Sequence, residues 1–184
     1  MSTEVPNSWS DPGTGKTFSF NEEGLFVDSD GKGPQKGFKN DNQFGDWLHA
    51  YIQQGLIQKG LIKHEVENSV PIFHTPNALN SAKKLLVLIC GTGRIMAGCW
   101  SVGVCAYHGL KAGSVFPCLE EAQKREMEVI ILNPNNPNSP KSHSRNVFSN
   151  LIIPSNPERV WIIAHSMGGA STCSIISSNP KFCI

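Results

Sequence analysis

The sequence predicts an α/β chain built on a doubly wound, mostly parallel sheet, and three observations carry that expectation. Leu85-Leu86-Val87-Leu88-Ile89, Val129-Ile130-Ile131-Leu132 and Val160-Trp161-Ile162-Ile163 are unbroken apolar runs, the pattern of strands buried on both faces. Helical stretches separate them, so strand and helix alternate with helices on both faces. The chain has 184 residues, 39% of them hydrophobic and 17% charged, enough to bury one core without disulfide or metal staples. The three strands are expected to be parallel neighbours, with 85–89 between the other two.

The elements follow in order. Residues 1–17 are expected to be a flexible N-terminus, and 18–184 the N-terminal part of one domain. Phe18 and Phe20, then Leu25-Phe26-Val27, suggest two short strands joined by Asn21-Glu22-Glu23-Gly24 and followed by the turn Asp28-Ser29-Asp30-Gly31. Phe44, Trp47, Leu48, Tyr51 and Ile52 recur at helical spacing, which predicts an amphipathic helix over 42–54, interrupted by Gly55 and Gly60. Leu61-Ile62 and Pro71-Ile72-Phe73-His74 read as short strands. Residues 117–126 suit a helix, 133–142 a loop rich in Pro and Asn, and 144–151 a weak helix.

Composition excludes several classes. Sixteen basic residues against fifteen acidic ones leave a net charge of +1, so there is no general pull on phosphate backbones or anionic lipid. No direct nucleic-acid signature is present, and no apolar run approaches the ~18 residues that span a membrane. The opening MSTEVPNSWS is no secretory signal, so the expected location is the nucleus or cytoplasm, not outside the cell. Cys90, Cys99, Cys105, Cys118, Cys173 and Cys183 show no zinc-ligand spacing and are expected to be reduced thiols. Neither a metal nor a cofactor is expected.

Two motifs carry the functional argument. Ser10-Asp11-Pro12-Gly13-Thr14-Gly15-Lys16-Thr17 imitates a phosphate-binding loop, but it lacks the first glycine. A strand-like Phe18-Ser19-Phe20 also follows where a helix must begin. The second motif, Ala164-His165-Ser166-Met167-Gly168-Gly169, matches the nucleophile elbow G-x-S-x-G with alanine in first place, between a buried strand and a small-residue helix. That context makes Ser166 a candidate nucleophile with the Met167 amide as one oxyanion donor. The alternative for the serine is a plain helix cap. Cys90-Gly91-Thr92-Gly93, after the first buried strand, offers the Thr92 amide as the second donor, with cysteine where His-Gly-x-Gly loops carry histidine. The acid and histidine of a triad should follow the serine, yet the 18 residues after Ser166 contain neither. His49, His64, His74, His108, His143 and His165 all precede or adjoin it; His74 and His143 are the first to examine as a base.

Four blocks together bear a resemblance. Phe20-Asn21-Glu22-Glu23-Gly24-Leu25 comes first, then Lys84 to Gly93 with Ala97-Gly98-Cys99-Trp100. Val129-Ile130-Ile131-Leu132-Asn133-Pro134-Asn135 and Ile163 to Gly169 complete a set spread over residues 18–176. In order and spacing this resembles the Argonaute-binding-protein-two (Arb-two) domain family. The resemblance implies an α/β-hydrolase-like fold whose later strands lie beyond residue 184, leaving strand 160–163 with one unpaired edge. It also implies Argonaute-type or other nuclear protein partners, in small-RNA-guided heterochromatin formation or cotranscriptional splicing control. The chain departs from the family at Cys90, where relatives carry histidine.

Two readings follow. In the first, the domain is a non-catalytic interaction scaffold in Argonaute-linked nuclear regulation. In the second, it is an esterase or amidase that uses Ser166, with the triad completed by sequence beyond residue 184.

Overall fold

A computed structural model describes residues 5–66, 70–135 and 140–179. The chain is mixed α/β, with two sheets and six α-helices among the described residues. The small sheet holds β1 (Ser8–Ser10), β2 (Thr17–Phe20) and β3 (Phe26–Asp28), all antiparallel. Ser8–Ser10, expected within a flexible lead-in, is therefore a paired strand. Trp9 anchors it there, with its ring 5.8 Å from Phe44 and 5.9 Å from Trp47.

Helix α1 (Asn42–Gln58) starts at Asp41, whose carboxylate accepts hydrogen bonds from the Gln43 and Phe44 amides at 3.0 and 3.1 Å. It runs four residues beyond the expected end. Gly55 does not break it, because the Phe116 ring packs there, 2.8 Å from where a Cβ would stand. Phe44, Trp47 and Leu48 on its inner face close an aromatic cluster with Phe18, Phe26 and Phe38 of the N-terminal segment.

The large sheet has the order β4-β5-β7-β6-β8. β6 (Leu85–Ile89) is parallel to both β7 (Glu128–Leu132) and β8 (Val160–Ala164) and lies between them, as the sequence predicts. β4 (Ile62–Val66) and β5 (Val70–His74) add an antiparallel hairpin beside β7, so the parallel part is the three-stranded centre only. One face packs Leu86, Leu88, Val129 and Ile131 under Leu56 of α1 and Leu119 and Ala122 of α4 (Phe116–Lys124). The other face packs Leu85, Val87, Ile89 and Ile130 under α5 (Pro140–Val147), the π-helical turn Phe148–Ile152 and α6 (Met167–Ser178). Helix α5 takes up residues 140–142 of the expected loop, whose residues 136–139 lie outside the described ones. Each large apolar side chain buried in these layers contributes roughly 1.5–3 kcal/mol against unfolding.

β8 departs from expectation. Its apolar run predicts burial on both faces, yet Trp161 and Ile163 are 42% and 45% exposed. Among the described residues β8 is the last strand of the sheet, and α4 stops short of it. An apolar groove of about 760 Å³ is left beneath Leu86, Cys118, Trp161 and Ile163.

Short helices α2 (Val102–His108) and α3 (Leu110–Gly113) join the Gly91–Trp100 loop to α4. Among the described residues no helix is long and apolar enough to cross a membrane.

Candidate active site at the β8–α6 turn

The site begins with a backbone conformation. Ser166 has φ 54° and ψ −121°, one of four non-glycine residues with positive φ among the described residues. Such a geometry costs about 1–3 kcal/mol and persists only where its surroundings enforce it. Three hydrogen bonds enforce it here. The His165 amide donates to the Ile89 carbonyl at 3.0 Å, Gly168 to His165 at 2.9 Å and Gly169 to Ser166 at 3.0 Å. The serine is therefore lifted off the end of β8 onto the N-terminus of α6, with an exposed side chain. Met167, the first helical residue, has no carbonyl of its own helix four positions earlier, so its amide belongs to the unsatisfied set of a helix start.

Only one glycine of the doublet is sterically required. A Cβ at Gly168 would stand 2.5 Å from the Ile89 carbonyl oxygen and 2.9 Å from that of Cys90, because the first turn of α6 rests on the end of β6. Gly169 has nothing within 4 Å.

The Cys90-Gly91-Thr92-Gly93 loop sits directly beside the turn. A Cβ at Gly91 would lie 3.1 Å from the Ser166 Cβ and 3.3 Å from His165 Nδ1, so glycine there admits the serine. Thr92 follows with its side chain exposed. The structure thus brings Ser166, Met167 and the Thr92 segment to one place. Cys90 is buried, and that burial, with Cys99 nearby, pushes its thiol up to about 12.

Sequence reasoning missed what holds this loop. Asn135 Nδ2 donates to the Gly91 carbonyl at 2.8 Å and to the Ile95 carbonyl at 2.5 Å, closing the loop from both ends. Asn133 Oδ1 accepts the Ala97 amide at 3.2 Å. The Leu132-Asn133-Pro134-Asn135 block at the end of β7 is therefore a latch on the loop that faces Ser166. The available signal was a pair of asparagines flanking a proline directly after a buried strand.

The two histidines first in line as bases are committed elsewhere. His143 Nε2 accepts the Asn133 amide at 3.3 Å, and burial lowers the imidazole to about 4. His74, also buried, holds the Thr75 carbonyl through Nδ1 at 2.9 Å. His165 is exposed beside Ser166, its ring 6.3 Å from that of Trp100. The phosphate-loop look-alike is a structural turn. The Asp11 carboxylate accepts Thr14 N at 2.8 Å, Thr14 Oγ1 at 2.6 Å and Lys39 N at 3.0 Å, and Lys16 pairs with Asp28 at 2.5 Å. Among the described residues no group of three ligating side chains could hold a metal.

Comparison with known proteins places this geometry in a context. The Arb2 domain matches residues 42–137, just over half of the chain. A FAM172 family protein homolog of Caenorhabditis elegans is 29% identical over 135 residues, covering 66% of this chain and 43% of that protein. A human protein named ARB2BP is 31% identical over 137 residues, covering 64% and 38%. A cotranscriptional regulator ARB2A homolog of Dictyostelium discoideum is 28% identical over 145 residues, covering 74% and 35%. The chain thus spans about two fifths of the length of these curated relatives. No solved structure matches it.

Proposed function

The chain belongs to the Arb2 domain family, and from that premise we propose that it acts as a nuclear cotranscriptional regulator whose α/β-hydrolase-like domain is a protein-binding scaffold. The Dictyostelium relative's name supports the regulatory half of this reading. One observation carries the scaffold half: an elbow serine stands exposed while His143 and His74 are tied into backbone hydrogen bonds. An unassisted serine hydroxyl is a weak nucleophile, and activation needs a base within about 3 Å. The hydrolase-like assignment rests on the order β7-β6-β8 with the elbow immediately after β8. The partner proposed is an Argonaute-type or other nuclear protein, with heterochromatin formation or splicing control as the process.

A second reading is favoured by the strained φ of Ser166. Such a conformation is typical of residues whose geometry is maintained for function. In that reading Ser166 attacks an ester or amide, the Met167 and Thr92 amides hold the oxyanion, and residues beyond 184 supply the acid and base.

A fluorophosphonate probe separates the two. The scaffold reading expects no labelling of this chain that Ser166→Ala removes, together with recovery of the chain in Argonaute immunoprecipitates from nuclei, unchanged by that substitution. Labelling lost in Ser166→Ala would establish an activated serine and overturn the scaffold reading.

A further inference from the structure

Behind the latched loop lies a pair of thiols that the elbow does not use. Cys99 and Cys105 are both fully buried, and the backbone folds them onto each other. Cys99 forms an antiparallel bridge with Ser114, and the Trp100 amide donates to the Gly113 carbonyl at 2.8 Å. Gly113 in turn is pressed against α2 so closely that a Cβ there would stand 2.4 Å from the Cys105 sulfur. The two cysteines therefore flank one glycine, and the Cys105 thiol hydrogen-bonds the Cys99 sulfur.

A third side chain completes the cluster. His49 of α1 is 5% exposed and lies beside the Cys99 sulfur, although its buried Nε2 makes no hydrogen bond of normal geometry among the described residues. A buried, unpaired imidazole nitrogen costs free energy unless a neighbour uses it. The hydrogen bond from Cys105, followed by the imidazole, holds the Cys99 thiol below its ordinary range; the same bond raises Cys105. Cys90 and Cys118 shift upward through burial, and Cys173 is exposed. Cys99 thus differs from the other described cysteines in having both a thiolate-favouring neighbour and a second thiol in contact.

We propose that Cys99 and Cys105 form an oxidisable dithiol that hydrogen peroxide converts to a disulfide, with Cys99 the attacking sulfur, Cys105 the resolving one and His49 a positioning residue. In the first step the Cys99 thiolate attacks one peroxide oxygen. An S–O bond forms, the O–O bond breaks, and the departing hydroxide takes a proton to become water. In the second step the Cys105 sulfur attacks the sulfenic sulfur, its proton leaves with the hydroxyl as a second water, and the S–S bond forms. Two thiols are oxidised by two electrons and one peroxide is reduced to two waters. Peroxide is near water in size and enters when the overlying loop, exposed at Thr92, Gly93 and Arg94, opens locally. The disulfide would pin the end of that loop to α2 and so stiffen the surface beside Ser166.

Trypsin makes the test direct, because cleavage after Arg94 and Lys111 releases residues 95–111, which hold Cys99 and Cys105 and no other cysteine. The native chain is treated with stoichiometric hydrogen peroxide, blocked with N-ethylmaleimide and digested. The expected result is a 95–111 peptide lighter by two hydrogen atoms and free of maleimide, while Cys90 and Cys173 carry the label. Cys105→Ser should leave a dimedone-reactive sulfenic acid on Cys99, and His49→Gln should slow oxidation about tenfold at neutral pH while the gap closes at alkaline pH. A reduced 95–111 peptide when other cysteines are already oxidised, or a linkage of Cys99 to Cys90, would overturn the proposal. The unmutated protein alone supplies that map, so a variant that fails to fold does not shield it.

Discussion

β6 and β8 are nearly interchangeable as sequences, Leu-Leu-Val-Leu-Ile against Val-Trp-Ile-Ile-Ala, and they pair in register with Leu88 opposite Ile163. Every residue of β6 is buried, whereas β8 alternates between half-buried and exposed. An apolar run therefore reports what a strand could bury; how much it does bury is set by the strand beside it and the helix above it. β6 has a partner on each side and helices on both faces, while β8 has one partner and an open groove.

The comparison is broken most forcefully at its centre. Leu88 is fully buried, so Leu88→Ala is expected to cost about 2–5 kcal/mol, measured by denaturant unfolding. A cost below 1 kcal/mol would mean that the centre of the sheet is not close-packed.

Next comes acid, acting on the rim that joins the strands. Burial lowers His143 to about 4, below the ordinary ~6.5, so the unfolded chain binds the extra proton first. Its contribution is fully present above pH ~6.5 and is lost as pH falls towards 4, amounting to roughly 2–3 kcal/mol. His143→Gln should flatten that part of the stability–pH curve, and an unchanged slope would show that another group carries it.

A smaller contrast separates the two glycines. Gly168→Ala drives a methyl group into the Ile89 and Cys90 carbonyls and is expected to cost about 1–3 kcal/mol. Gly169→Ala, in open space on a helix, should be neutral or gain up to about 1 kcal/mol. Equal effects in thermal melts would contradict the seating of α6 on β6.

The smallest effect belongs to the edge. Ile163→Ala should cost about 1 kcal/mol or less, since nearly half of that side chain already meets water. A loss matching that of Leu88→Ala would show β8 to be buried in solution.

Much of the centre was legible from sequence. Three apolar runs gave the parallel strands and their order, and the small residues around Ser166 gave the elbow. The exposure of β8 was not legible, because edge position is a property of neighbours and leaves no mark on composition. Ser8-Trp9-Ser10 is too short to read as a strand; its pairing depends on where the Trp9 ring lands among Phe44 and Trp47. The helix through Gly55 depended on a ring from α4 filling the space a side chain would take. The Asn133 and Asn135 latch read only as loop, since asparagine favours turns whether or not its amide reaches a distant carbonyl.

The strand order also has a consequence for synthesis on the ribosome. β6 is made before both of its partners, and the second of them ends at Ala164, 75 residues after Ile89. At roughly 5–20 residues per second, an all-apolar pentapeptide waits about 4–15 s before its second edge is satisfied. During that interval the nascent chain is most exposed to wrong pairing and has most need of a chaperone. The strand that ends as the best protected in the fold is, at birth, its most vulnerable.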